Sequence, residues 1–129
     1  MSVRYLLDTH AIVWSLAEPK KLSKKARAIV EGDADAVVSA ASVWELAIKM
    51  SNDRLTLPVE LSVFIDDVAR DLGVTWLAIE VAHALRVRAL PWHHRDPFDR
   101  LLAAQAIAED LTVVSTDAIF DRYGCKRVW

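Results

Sequence analysis

VRYLLDTHAIVWSL, residues 3–16, changes its hydrophobic period at Asp8. Val3 to Leu7 is a short apolar run with β-branched and aromatic members, the signature of a buried strand. Beyond Asp8, apolar residues recur at Ile12, Val13 and Leu16 with helical spacing. A buried strand that runs straight into a helix opens an alternating α/β domain, and the rest of the chain repeats the unit.

Pro19 ends the first helical pattern, Ser23 suits the cap of a second helix through Val30, and Gly32 closes it. A strand from Ala36 to Val38 leads into a helix around Val43 to Met50. After a turn-like stretch from Asn52 to Pro58, Val59 to Leu72 carries apolar residues at Leu61, Phe64, Ile65, Val68 and Leu72, with Gly73 as a stop. Val74 to Ile79 then reads as a strand, Val81 to Ala89 as a helix and Leu90 to Arg95 as a loop. Pro97 to Glu109 reads as a helix, Leu111 to Ser115 as a strand, Ala118 to Tyr123 as a short helix, and the residues through Trp129 as an edge strand. The alternation predicts a single α/β domain over residues 1–129, a mainly parallel sheet with helices on both faces in an α/β/α sandwich.

The 129 residues fit one compact domain, and 53% hydrophobic content supplies its core. The single cysteine, Cys125, excludes an internal disulfide and paired-cysteine zinc sites, and matches a reducing cytoplasmic compartment. Arg4, Asp8 and His10 interrupt the opening apolar run before it reaches the length of a signal core or membrane span, so the chain reads as soluble, unprocessed and without membrane contact. The formal net charge of −2 gives no whole-molecule attraction for a polyanion, so nucleic-acid binding here needs cations or local basic residues. Three glycines leave no G-x-G-x-x-G or phosphate loop.

The acids are placed suggestively. Asp8 and Asp117 follow strands, where a parallel sheet presents its carboxyl edge to ligands. Glu45 is expected in the first turn of the helix after the second strand, and Asp96 and Asp99 open the helix before the fourth. Each has a capping explanation: Asp8 before its helix, Ser42 with Glu45 as an S-x-x-E capping box, Asp96 ahead of Pro97, and Thr116 or Asp117 before Ala118. Several carboxylates meeting at one edge repel unless protons or cations intervene. All-oxygen donors favour Mg²⁺ or Mn²⁺, and two such ions roughly 3.5–4 Å apart suit phosphodiester hydrolysis.

LLDTHAIVW (6–14), SVWELAIK (42–49), HHRDPFDRLLAAQA (93–106) and VVSTDAIFDRY (113–123), in this order and spacing, resemble a PIN domain of the VapC toxin type across essentially the whole chain. The resemblance implies divalent-metal-dependent endoribonuclease activity, frequent homodimerisation, and inhibition by a cognate, VapB-like antitoxin that blocks the site or adds a basic side chain to it. It places the catalytic, metal-holding acids on Asp8, Glu45, Asp99 and Asp117, with Ser115 as a supporting hydroxyl beside Thr116. Asp96 stays open between a metal contact and a helix cap.

His93, His94 and Arg95 are candidates for phosphate contact or proton transfer, against a plain surface loop; His10 lies near the site in sequence, and His83 reads as structural. Lys20, Lys21, Lys24, Lys25 and Arg27 form either an RNA-steering patch or a solvated helix face. Trp14, Trp44, Trp76, Trp92 and Trp129 suit core packing or a subunit interface, or stacking on an unpaired base where exposed. Arg100 suits orientation of a carboxylate or a dimer contact. Aspartyl-phosphate enzymes and receiver domains need a second acid close to the first, where this chain has His10. A non-catalytic PIN-like module that binds RNA or protein is the alternative reading.

Overall fold

The computed structural model describes residues 3–93 and 95–129. Among them, five strands form one parallel sheet in the order β3-β2-β1-β4-β5: β1 Arg4–Leu7, β2 Asp35–Ser39, β3 Thr75–Leu77, β4 Thr112–Val114 and β5 Arg127–Val128. The helices are α1 Thr9–Ala17, α2 Lys24–Glu31, α3 Ala40–Ser51, α4 Leu61–Leu72, α5 Val81–Val87, α6 Pro97–Glu109 and α7 Ile119–Arg122, with a 3₁₀ turn at Pro19–Lys21. The expected α/β sandwich is present.

Strand alternation sorts the core into two layers, because successive side chains of a strand point to opposite faces. Leu6 of the central strand pairs in register with Val37 and Val113. All three face a cluster with Leu101, Leu102 and Ala103 of α6 and Phe120 of α7. Leu7, Val38 and Val114 face the other layer, where Ala11 and Ile12 of α1, Ile29 and Val30 of α2, and Phe64 and Val68 of α4 pack. Both faces are covered, which is why these strands read as unbroken apolar runs rather than alternating ones.

Helix boundaries follow local chemistry. The Ser23 hydroxyl caps α2 by accepting the Ala26 N–H at 3.0 Å. Gly73 adopts the left-handed conformation (φ 62°) that ends α4, where a side chain would be strained. The α6 bounds equal the expected ones. The expected strands Val3 to Leu7, Val74 to Ile79 and Leu111 to Ser115 each contract by one to three residues, since only paired residues join the ladder.

One expectation fails. Ser42 and Glu45 do not form the box that opens α3: the helix starts directly off β2, and the Ser39 hydroxyl caps it by accepting the Ala41 N–H at 3.0 Å. Glu45 therefore lies in the second turn rather than the first, facing inward with 4% exposure. No helix among the described residues is long and apolar enough to cross a membrane.

Leu6 is fully buried in the central strand. Leu6→Ala removes packing on the α6 face and is expected to cost about 2–5 kcal/mol. Urea unfolding checks this as a lower midpoint with an unchanged m-value.

Candidate active site

The sheet order reverses direction between β1 and β4, the place where open α/β sheets hold ligands beyond their strand ends. Asp8 leaves β1 there, with its N–H donating to the Val114 carbonyl at 3.2 Å. Its Oδ1 accepts the Ala11 N–H at 2.8 Å and so caps α1, while the Ser115 hydroxyl hydrogen-bonds the same carboxyl group. Asp8 is only 5% exposed. Burial raises its pKa above the ordinary aspartate value, the bonds from Ser115 and Ala11 and the field of His10 oppose the rise, and the charge of Glu45 adds to it.

Glu45 reaches the same region from α3. Its Oε1 accepts the Thr9 hydroxyl at 2.7 Å, its Oε2 accepts the Lys49 ammonium at 2.5 Å, and Ser42 lies 3.1 Å from the Thr9 oxygen. The residue after Asp8 thus anchors the second acid. Sequence reasoning passed over Thr9 and Lys49; the i,i+4 spacing of Glu45 and Lys49 was the available signal. Thr9, His10, Trp14, Leu46 and Lys49 line a groove of about 150 Å³ beside this pair.

Ser115, fully buried, joins the third acid to the first. Its hydroxyl accepts the Asp117 N–H at 3.0 Å, and its carbonyl accepts Arg127 Nη1 at 3.1 Å. Asp117 is exposed, its Oδ1 accepting the Ile119 N–H at 2.9 Å, and Thr116 is exposed beside it. Asp96 caps α6, accepting the N–H groups of Phe98 and Asp99 at 2.8 and 3.3 Å. Asp99 is half-buried in the first turn of that helix. Because α6 feeds β4 through a tight connection, its N-terminus returns to the carboxyl edge. Phe98 there meets Trp44, the neighbour of Glu45, edge-on at 5.0 Å.

Asp8 is thus bonded to Ser115 and within electrostatic reach of Glu45, with Asp117 linked through Ser115. Among the described residues no three His, Cys, Asp or Glu side chains converge closely enough to hold a metal ion. Glu45 is turned to Thr9 and Lys49, and Asp117 to its own turn. The donor chemistry nevertheless fits a hard divalent cation: oxygen ligands only, with a buried carboxyl group facing a second acid.

The remaining candidates separate. His93 is half-buried, its Nδ1 3.3 Å from Arg122 Nη2 and its ring 5.4 Å from Tyr123; Arg95 is exposed; His94 lies outside the described residues. His10 is exposed against Trp14, and His83 is structural, fully buried with Nε2 2.8 Å from Glu109. Lys21 and Arg27 of the basic stretch pair with Glu18 and Glu31. Trp14 and Trp129 pack edge-on, whereas Trp44, Trp76 and Trp92 are exposed. Arg100 takes a role that neither sequence reading named: 3% exposed, it donates to the carbonyls of Val87, Leu90 and Pro91 and to the Tyr123 hydroxyl.

A five-stranded parallel sheet with acids at strand ends and helix starts around its switch point defines a class of α/β domains. The chain belongs to the PIN-domain family: the model of the PIN domain matches residues 5–125. Ribonuclease VapC22 of Mycobacterium tuberculosis is 33% identical over 115 residues, covering 87% of this chain and 85% of that protein. The fold is also similar to chains in the crystal structure of VapBC2 from Rickettsia felis bound to a DNA fragment from their promoter (TM-score 0.74, 15% identity, 98% of both chains) and in a toxin-antitoxin complex from Klebsiella pneumoniae (TM-score 0.65, 13% identity, 97% and 96%).

The raised Asp8 pKa has a stability consequence. A carboxyl group with a higher pKa in the folded than in the unfolded chain binds more protons when folded, so stability falls as pH rises from about 4 through the folded value. Asp8→Asn is therefore expected to raise the melting temperature of the metal-free protein by a few degrees at neutral pH, with the gain shrinking below the unfolded value. Calorimetry across pH checks it; an unchanged or lower melting temperature at pH 7 contradicts it.

Proposed function

We propose that this chain is a divalent-metal-dependent endoribonuclease and the toxin of a toxin–antitoxin pair. The carrying observation is the buried Asp8 carboxyl group, facing Glu45 and fixed by Ser115, in a PIN-family chain one-third identical to a protein named a ribonuclease. A carboxyl group made hard to ionise beside a second acid is poised to bind a cation, which relieves both burdens.

Asp8, Glu45, Asp99 and Asp117 are the residues assigned to hold Mg²⁺ or Mn²⁺, with Asp96, one helical turn before Asp99, as an additional oxygen source. An ion held there would supply Lewis acidity and a water of lowered pKa, the chemistry that hydrolysis of an RNA phosphodiester requires. Ser115 orients Asp8, while Thr9 and Lys49 hold Glu45, so the two acids are set before substrate arrives. Arg95 and His93 are assigned to phosphate contact. A cognate, VapB-like antitoxin is the partner, a reading supported by the toxin-antitoxin complexes among the structural neighbours, and it is assigned to block the acidic edge.

A cytoplasmic location and a homodimer complete the reading. Burial pushes the Cys125 thiol up to about 11, a group that stays protonated and unreactive in a reducing compartment. Exposed apolar side chains on α3 and α5, including Ile48, Val81 and Leu85, supply area for a second copy.

Antitoxin-free protein incubated with a panel of tRNA and single-stranded RNA is expected to cut at defined positions with Mg²⁺ or Mn²⁺, to stop cutting with chelator, and to lose the cuts in Asp8→Asn. RNA binding by folded protein without cleavage under any of these metals favours the non-catalytic module instead.

A further inference from the structure

Trp92 is the most exposed large apolar residue named among the described ones, at 78%. It stands in the loop between α5 and α6, a few residues before Asp96 and Asp99. One face of its ring lies on the Arg100 guanidinium, 4.0 Å from carbon to ring centroid. Arg100 cannot drift: Nη1 donates to the Pro91 carbonyl at 2.8 Å and the Tyr123 hydroxyl at 3.2 Å, and Nη2 donates to the Val87 and Leu90 carbonyls at 3.1 and 3.3 Å. A largely exposed tryptophan is thus held in place by a buried cation, and its remaining face is open to solvent.

The charge around it is equally uneven. Arg4, Arg27, Arg70 and Arg127 each pair with a carboxylate. Arg88 and Arg95, which flank Trp92 in sequence, and Arg122, which reaches His93, are exposed and pair with no carboxylate among the described residues. Unneutralised arginines beside a fixed aromatic face form the combination that grips a single strand: phosphates meet the cations and a base stacks on the ring. A two-fold contact centred on Trp92 would instead bring these arginines of both copies together, a repulsive arrangement.

We infer that the Trp92 ring, fixed on Arg100, is a stacking platform for one unpaired base of the RNA, with Arg88, Arg95 and Arg122 contacting the adjacent phosphates. The inference rests on the ribonuclease reading and adds to it a subsite next to the acidic edge. Arg100 acts as a positioning residue and does not touch the substrate.

The test compares wild type, Trp92→Ala and Trp92→Phe for binding of a fluorescein-labelled, mixed-sequence single-stranded RNA 12-mer in chelator, and for KM and kcat of cleavage with Mn²⁺. Trp92→Ala is expected to weaken binding and raise KM about tenfold with kcat unchanged, and Trp92→Phe to restore most of the loss. Melting temperature and sedimentation are expected to match wild type. Equal RNA affinity of wild type and Trp92→Ala overturns the platform, as does a dimer that becomes a monomer in Trp92→Ala. Binding is measured without cleavage, so the two readings fail separately: wild-type cleavage with an indifferent Trp92 sinks only the platform, and Trp92-dependent binding without cleavage by any metal sinks only the nuclease.

Discussion

Asp8 is a carboxyl group withdrawn from water at the point where the sheet changes direction, and most of the site is arranged around tolerating it. Burial of an acid is costly unless hydrogen bonds or opposite charge offset it. The Ala11 N–H and the Ser115 hydroxyl offset part of it and Glu45 adds to it, leaving a group whose proton is harder to lose than usual. The compensating groups come from α1 and from the strand end after β4, and the acid that adds to the burden comes from α3. The parallel sheet is what brings them within reach, and the register that sets Leu7 beside Val114 puts Asp8 within bonding range of Ser115.

A second frame holds the other side of the edge. Gln105, fully buried on α6, accepts the Ser39 hydroxyl at 2.6 Å and lies 3.3 Å from the Ala78 carbonyl, so α6 is tied to the end of β2 and to the segment after β3. One turn and a half earlier, Arg100 gathers the last carbonyl of α5, that of Val87, and the loop carbonyls of Leu90 and Pro91. Buried carbonyls of a loop need donors, and a guanidinium offers five in a fixed fork. The loop with Trp92 and His93 is shaped by α6, the helix that carries Asp99, so loop and acid are placed by one rigid body.

The fold was legible because its strands are short apolar runs punctuated by polar residues at their carboxyl ends, and because α6 opens on Asp96-Pro97 and carries the apolar run Leu101 to Ala104. What sequence could not supply was rotation about α3. Ser42 and Glu45 have the spacing of a capping box, but Ser39 stands one turn earlier and takes the cap, and the displaced pair then faces Thr9. Arg100 was ambiguous for the same reason: its partners are carbonyls, which carry no sequence signature. Exposure of Trp44, Trp76 and Trp92 was equally hidden, since an aromatic on an apolar stripe looks alike whether or not another element covers it.

The capping and ligand readings of the acids also cease to compete once individual oxygens are followed. Asp8 Oδ1 takes the Ala11 N–H, Asp96 Oδ1 takes those of Phe98 and Asp99, and Asp117 Oδ1 takes that of Ile119. A carboxylate has two oxygens and about four acceptor positions, so a backbone bond to one oxygen leaves the other available. The cap fixes the rotamer of the acid, and a fixed rotamer lowers the entropy lost when a ligand is bound. Helix N-termini are positive, so they favour the ionised form that binds a cation even where burial opposes it. Local folding chemistry thus orients the acids proposed for the site, and a cap on one oxygen does not exclude a ligand on the other.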